Sequence, residues 1–181
     1  MDSHTKTSAD HTTTLAEHGT RLLSIEEAIT RLEIRLDDAL GTLTEERYRN
    51  KAYGHFGAIA RRIKQLHGPA LDDVLEPLEA AGELDDDERM QLLAADGIFD
   101  GRRGGAPIRL VMEASLVVDT DDVKRARDRA RILARSGVKA VGVVAGKAVT
   151  PPAREAARAA EVWVVTDGRS EAPTTHSPRE A

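Results

Sequence analysis

The stretch RLVMEASLVVDTDDVKRARDRARIL, residues 109–133, decides the fold. In its first ten residues apolar side chains recur at every second position, which is the period of a β-strand. One face of this strand is wholly apolar and consists of Leu110, Met112, Ala114, Leu116 and Val118. After Thr120 the apolar period becomes helical, with Val123, Ala126, Ala130 and Leu133 on one face. The stretch therefore predicts a strand followed by a helix that packs on the sheet.

Further elements surround this pair between residues 96 and 168. The pattern predicts strands at 96–100, 108–118, 138–145 and 162–166, helices at 121–135 and 152–160, and a turn at 102–107. Helices that alternate with strands are typical of a largely parallel sheet, whereas two strands joined by a short Gly-rich turn form an antiparallel hairpin. We therefore predict a small mixed α/β sheet domain with the order β-β-α-β-α-β.

The hairpin brings two acidic residues together. If its turn is centred on the Gly-Gly pair, Asp96 lies opposite Glu113, and Asp100 lies opposite Arg109. Directly opposed side chains have Cβ atoms about 5 Å apart. Two carboxylates at that distance repel each other unless a proton or cation lies between them, and Mg²⁺ or Mn²⁺ suits their oxygens. A slip of one residue would put Asp96 and Glu113 on opposite faces.

Composition limits the class of protein. The chain has 181 residues, a net charge of −5, 3% aromatic residues and no cysteine. This length suits one modest domain with an extension. The lack of cysteine excludes a disulfide scaffold, a zinc ribbon and a thiol nucleophile. No apolar run approaches the roughly 20 residues of a membrane-spanning helix, and the first residues do not resemble a signal peptide, so we expect a soluble cytoplasmic protein without membrane contact.

The N-terminal part has a heptad pattern. Residues 1–14 are polar and predict a disordered tail, and residues 15–46 predict a coiled-coil helix. The predicted oligomer seam consists of Leu15, Leu22, Ile25, Ile29, Leu32, Leu36 and Leu43. Arg21 and Glu26 have the spacing of an interhelical ion pair, so a homo-oligomer is expected, with its number of helices left open. The alternative is an amphipathic helix folded back on its own domain.

Residues 47–95 predict a helical connector, first basic and then acidic. The basic part has six positive charges and no acidic residue: Arg47, Arg49, Lys51, Arg61, Arg62 and Lys64. Three aromatic residues, Tyr48, Tyr53 and Phe56, lie among them. Basic residues beside aromatic ones suit a phosphate backbone and exposed bases, which indicates DNA or RNA. The alternative is that the aromatic rings pack against the domain and the charges are solvated.

The helix at 121–135 carries a second basic row. Arg127, Arg131 and Arg135 follow one another at four-residue intervals. Three guanidinium groups in line can follow a phosphate backbone. Neighbouring aspartates can instead neutralise them, so both interpretations stay open.

The order of elements and the residues of the hairpin resemble a known family. The hairpin with Asp96 on its first strand and Glu-Ala-Ser at 113–115 on its second, followed by a helix and a buried strand, resembles the core of the restriction-endonuclease-like, or PD-(D/E)XK, nuclease superfamily. Together with GVVAG at 142–146 and VWVVTDG at 162–168, the stretch 109–133 is similar to a prokaryotic branch that joins an N-terminal coiled coil to such a core. The resemblance covers residues 96–168, and residues 169–181 predict a disordered tail.

The resemblance implies phosphodiester hydrolysis. Asp96 and Glu113, with the carbonyl of Ala114, would hold Mg²⁺ or Mn²⁺, which activates water. Ser115 stands where the family has a lysine, and Lys124 is a candidate substitute for it. Two functions follow as expectations: a weak metal-dependent nuclease, or a catalytically degenerate derivative that binds nucleic acid or another partner. A third alternative is a coiled-coil oligomerising adaptor with no catalysis.

Overall fold

The computed structural model describes residues 2–173, without the side chains of residues 2–14 and Ala16. The chain divides into two compact units, residues 1–40 and 41–181. Helix α1 covers Asp2–Asn50, so residues 2–40 of the first unit are helical and the last turns of α1 belong to the second unit. Residues 2–14, predicted as a disordered tail, are therefore helical, since extending an existing helix costs far less than starting one. The coiled-coil helix predicted at 15–46 lies wholly within α1.

The second unit contains a six-stranded mixed sheet with the strand order β1-β2-β3-β4-β5-β6. Its elements after α1 are α2 Ala52–His55, β1 Arg61–Leu66, α3 Pro69–Ala80, α4 Asp86–Leu93, β2 Gly97–Arg103, β3 Ala106–Val118, α5 Thr120–Ala134, β4 Ala140–Val149, α6 Pro151–Ala159, β5 Trp163–Thr166 and β6 Arg169–Glu171. Strand β4 is parallel to β3 and β5, whereas the other neighbours are antiparallel. The predicted mixed α/β class and the order of elements from β2 to β5 are confirmed.

Two strands lie where the sequence predicted none. Strand β1 interrupts the connector predicted to be helical at 47–95, so Arg61, Arg62 and Lys64 lie on a strand. The side chains of β1 do not alternate clearly between buried and exposed, because only Leu66 is fully buried. The strand is stabilised by its pairing with β2, which is distant from it in the sequence. Strand β6 lies in the segment predicted as a tail at 169–181, and residues 174–181 are outside the described part of the chain.

The register of the β2–β3 hairpin is the predicted one. Gly97 pairs with Met112, and Asp100 pairs with Arg109. The predicted salt bridge is present, since Arg109 Nε donates to Asp100 Oδ1 at 3.1 Å. Asp96 precedes the first residue of β2, so it lies at the end of the hairpin rather than on the strand.

One face of the sheet packs against the end of α1 and against α2. Tyr48 and Phe56 are buried there against Leu110, Met112 and Trp163. The hydroxyl of Tyr48 donates to the carbonyl of Gly146 at 2.8 Å. For these two rings packing is therefore the correct interpretation, whereas Tyr53 is 70% exposed.

The other face of the sheet packs against helices α3 to α6. Leu75 of α3 and Leu92 of α4 share a cluster with Val111, and Ala157 of α6 shares another with Val144. The predicted apolar face of α5 is confirmed, because its four residues are buried: Val123, Ala126, Ala130 and Leu133. Within residues 2–173, no helix is both long and apolar enough to cross a bilayer.

Candidate functional site

The predicted carboxylate pair lies beside two arginines of α5. Glu113, near the middle of β3, is only 2% exposed. Its Oε1 forms an ion pair with Arg129, which is itself buried, and its Oε2 accepts from Arg125 Nε at 3.2 Å. The two arginines are four residues apart, so they lie on the same side of α5. Both oxygens of Glu113 are therefore already paired with a cation.

The start of α5 fixes these arginines over β3. Asp119 caps the helix by accepting from the backbone N–H groups of Asp121 and Asp122. The carboxylate of Asp122 reaches back to the N–H of Asp119, which completes a capping box. Asp122 also forms an ion pair with Arg125. The first turn of α5 is thus tied to the same network as Glu113.

Asp96 is engaged differently from Glu113. Its Oδ2 accepts from the backbone N–H of Ala114 at 2.6 Å, and its carbonyl accepts from Arg49 Nε at 3.0 Å. The carboxylate of Asp96 therefore lies beside the peptide that follows Glu113, and its negative charge contributes to raising the pKa of Glu113. The predicted proximity of the two carboxylates is therefore present, although the groups that bind them are parts of the protein itself.

Burial dominates the titration of this network. It raises the pKa of Glu113, and the charge of Arg129 opposes that rise, whereas Asp96 adds to it. Burial likewise raises the pKa of Asp122, against a hydrogen bond from the backbone of Asp119. The low polarity around these carboxylates makes the guanidinium groups necessary for keeping them ionised.

The residues as arranged do not fit a metal ion. Both oxygens of Glu113 and one oxygen of Asp96 have protein partners. Among the described side chains, those of residue 15 and residues 17–173, no group of three or more acidic or histidine residues is placed to hold an ion. Lys124 is exposed and takes part in none of the ion pairs of Glu113 that the described chain forms. Ser115 is half-buried on the same strand and supplies no positive charge.

The predicted arginine row on α5 is largely paired. Arg127 bonds to Asp128 at 2.7 Å, and Arg135 binds both carboxylate oxygens of Glu88, at 2.6 and 2.8 Å. Arg131 is exposed and shares a groove between α5 and α6 with Lys124 and Arg127. The neutralised interpretation therefore holds for Arg127 and Arg135, whereas Arg131 forms no ion pair within the described residues.

A second group of arginines lies at the edge of the sheet. A cavity of about 740 Å³, here called the arginine cleft, is lined by Arg61, Arg62, Arg102 and Arg103. The remaining lining residues are Gly57, Ala58, Ile59, Ala60, Gly104 and Gly105. None of these lining residues is acidic, and none of the four arginines forms an ion pair with any residue of the described chain.

The strands bring these four arginines together. Arg61 of β1 lies directly opposite Arg102 of β2. The register is irregular between Arg61 and Lys64, and Arg62 has a φ of 55°, in the left-handed region. An irregularity of this kind redirects side chains relative to the regular pleat, so that Arg61 and its neighbour Arg62 can line one cleft.

Two of the arginines are held in place. Arg102 donates to the carbonyl of Gly105, from Nε at 3.1 Å and from Nη2 at 2.5 Å. The guanidinium carbon of Arg103 lies 4.9 Å from the ring centre of Trp163, a cation–π geometry. Neither contact neutralises the positive charge, so Arg102 and Arg103 are held in place as unpaired cations within the described chain.

Three other predicted nucleic-acid-binding residues are not part of the cleft lining. Arg49 bonds to the carbonyl of Asp96 and pairs with Glu45 at 3.9 Å. Lys51 is exposed just before α2, and Lys64 lies opposite Asp100. Of the basic residues predicted between residues 47 and 64, Arg61 and Arg62 line the arginine cleft. Arg102 and Arg103, from the RRGGAP turn, complete its four arginines. The two adjacent arginines that precede the Gly-Gly turn, Arg102 and Arg103, were the available signal.

No protein-family model, curated protein or solved structure matches the chain. Its function is therefore inferred from the geometry of its own residues.

Proposed function

We propose that the protein binds nucleic acid in the arginine cleft, on a restriction-endonuclease-like core that is catalytically silent. The observation that carries the proposal is the opposition of Arg61 and Arg102 across two antiparallel strands, in a cleft without acidic residues. Arg62 and Arg103 add two further charges to the same cavity.

A bound anion accounts for the opposed pair of arginines better than solvation by water does. Directly opposed side chains have Cβ atoms about 5 Å apart, and like charges in that position destabilise the pair of strands. A phosphate group between the two guanidiniums turns the repulsion into two charge-assisted, bidentate hydrogen-bonded contacts. A cavity of about 740 Å³ has the size of a typical ligand site.

The surroundings of the cleft favour a single strand of nucleic acid. Tyr53 of α2 is 70% exposed and lies four residues before Gly57, which lines the cleft. A Cβ atom at Gly57 would meet the backbone carbonyl of Tyr53 at 3.0 Å, which places the main chain of Tyr53 next to a residue of the cleft lining. An unpaired base that stacks on a tyrosine contributes about 1–3 kcal/mol. A single strand offers both this base and the phosphates.

The order of elements in the core supports descent from a nuclease, whereas its side chains do not support phosphodiester hydrolysis. The antiparallel hairpin of β2 and β3, followed by α5 and the parallel strand β4, is the arrangement that the resemblance implies. Metal-dependent hydrolysis needs carboxylate oxygens that are free to hold the ion. Arg125 and Arg129 form ion pairs with Glu113, and Ser115 stands where the family has a lysine. We therefore propose that this core binds its ligand without cleaving it.

Fluorescence anisotropy with labelled oligo-dT and oligo-U tests the proposal. The test variant combines Arg61→Ser with Arg102→Ser, and the matched control combines Arg127→Ser with Arg131→Ser, which removes two arginines from α5. We expect the cleft variant to lose about tenfold in affinity, equivalent to about 1.4 kcal/mol, and the control to lose less than about twofold. Equal losses in both variants, or no binding by the wild type, would refute the arginine cleft as the site.

The same oligonucleotides separate binding from catalysis. Incubation with Mg²⁺ or Mn²⁺, followed by electrophoresis, should leave them intact. Cleavage that disappears in Glu113→Gln would instead support the metal-dependent nuclease, and it would mean that Arg125 and Arg129 leave Glu113 when the ion binds.

A further inference from the structure

Helix α1 carries an apolar seam that the described chain does not cover. Its members are between 49% and 70% exposed, and they are Leu15, Leu22, Ile25, Ile29, Leu32, Leu36 and Leu43. They occupy a and d positions of successive heptads, in which His18 and Ala39 hold the two remaining d positions. Over residues 15–43 such a seam is about 42 Å long at 1.5 Å per residue. A continuous apolar seam of this length needs an occupant.

The charges beside the seam differ on its two sides. With Leu22 and Ile29 at a positions, Arg21 and Arg35 occupy g positions, and Glu26 and Glu33 occupy e positions. The charged g residues are therefore positive and the charged e residues negative. By contrast, Glu27 and Arg31 lie on the outer face and pair with each other within the helix at 3.7 Å. This outer-face pair is thus formed within one helix, whereas the charged g and e residues are placed to pair with a neighbouring helix.

We propose that α1 binds the α1 of a second copy of this chain, parallel and in register. In a parallel coiled coil each g residue faces the e residue of the following heptad on the partner helix, so Arg21 faces Glu26, whereas Glu33 and Arg35 face the uncharged Ala28 and Leu40. In an antiparallel pair g faces g and e faces e, which places arginine against arginine and glutamate against glutamate. The same seam and the same charges therefore select both the partner and its direction.

The absence of cysteine makes the direction measurable without background labelling. His18 and Ala39 occupy d positions near the two ends of the seam, and each can be replaced singly as His18→Cys and Ala39→Cys. In a parallel assembly each variant places two equivalent thiols within the Cα separation of about 7 Å that a disulfide allows. In an antiparallel assembly the two copies of residue 18 lie about 30 Å apart, at 1.5 Å per residue.

We expect each single-cysteine variant to form a disulfide-linked dimer with itself under mild oxidation. Cross-linking that appears only when a cysteine at one end meets one at the other end would overturn the parallel direction. The wild type should also be sedimented at a protein concentration 50 to 100 times that of the oligonucleotide-binding measurements. Sedimentation as a single 19.6 kDa chain there would overturn self-association itself.

Two isoleucines of the same helix provide a matched control. Ile29 lies on the seam and Ile34 on the outer face, and they are 49% and 57% exposed in the single chain. We expect Ile29→Asp to reduce the sedimenting mass to that of one chain and to abolish cross-linking. Ile34→Asp should leave both unchanged, because it adds the same charge outside the interface. Equal effects of the two variants would contradict the seam. This inference does not depend on nucleic-acid binding, so either proposal can fail alone.

Discussion

The second compact unit contains two groups of arginines, which differ in whether acidic side chains lie against them. Arg125 and Arg129 of α5 lie against the buried carboxylate of Glu113, and Asp122 adds a further acid. The arginine cleft gathers four guanidiniums with no acidic side chain in its lining. The same residue type is structural where the protein supplies the counter-charge, and available for a ligand where it does not.

The energetics of the two groups differ accordingly. Buried ion pairs contribute little net stability, because the attraction barely offsets the cost of removing both charges from water. Removing one partner, however, leaves an uncompensated buried charge. Exposed like charges weaken folding slightly and strengthen anion binding. Substitutions should therefore affect stability in the first group and affinity in the second.

The largest expected effect is on stability at Glu113. Glu113→Gln should lower the free energy of unfolding by about 3–5 kcal/mol, because Arg129 and Arg125 lose their buried counter-charge. Urea denaturation followed by circular dichroism measures it. The control is Glu27→Gln, which removes the partner of Arg31 in an exposed pair and should cost less than about 1 kcal/mol. Equal costs for the two variants would mean that the Glu113 network is no more structural than a surface pair.

The second effect is on the salt dependence of nucleic-acid affinity. If four guanidiniums each contact a phosphate, a plot of log K against log salt concentration for a single strand should have a slope of about −2.8. Arg102→Ser should reduce the size of this slope by about 0.7, since one contact is lost. Anisotropy titrations between 50 and 200 mM salt give both slopes. A slope near zero would show that the cleft does not bind phosphates.

How far the sequence predicts this molecule depends on how local each signal is. Strand β3, helix α5 and the hairpin register were predictable, because periodicity and a Gly-Gly turn specify them within about 25 residues. Strand β1 was missed because its partner β2 lies 30 or more residues further along the chain, and basic side chains conceal its period.

The sites show the same limit. The predicted neighbourhood of Asp96 and Glu113 is present, but the arginines that occupy Glu113 were not foreseen. Arg125 and Arg129 look like solvent-facing residues of an amphipathic helix, and their role depends on a glutamate of the strand beneath them. The arginine cleft depends on the irregular backbone at Arg62, which no side-chain pattern encodes.

A smaller effect should follow from the backbone of Arg62. A non-glycine residue in the left-handed region costs about 1–2 kcal/mol, whereas glycine adopts it freely but loses more entropy on folding. Arg62→Gly should therefore raise the free energy of unfolding by up to about 1 kcal/mol while weakening oligonucleotide binding. Lys64→Gly, on the same strand without a positive φ, should instead destabilise the protein. A loss of stability in both would show that Arg62 is not strained.

The smallest expected effect is that of divalent ions on stability. A ligand that binds the folded state raises its melting temperature. Because the oxygens of Glu113 are paired with arginines, addition of Mg²⁺ or Mn²⁺ at millimolar concentration should leave the melting temperature of the wild type unchanged. Differential scanning fluorimetry measures it, with Glu113→Gln as the control. A rise in the wild type that is absent from the variant would indicate a metal site at Glu113.

The most direct test of the account is the ratio of oligonucleotide affinities between the two double variants. Loss of the cleft arginines, Arg61 and Arg102, should weaken binding of single-stranded DNA or RNA about tenfold relative to loss of Arg127 and Arg131. The unfolding free energies of both variants should stay close to that of the wild type. A ratio of one, with both proteins folded, would contradict the central claim that arginines without a counter-charge form the binding site.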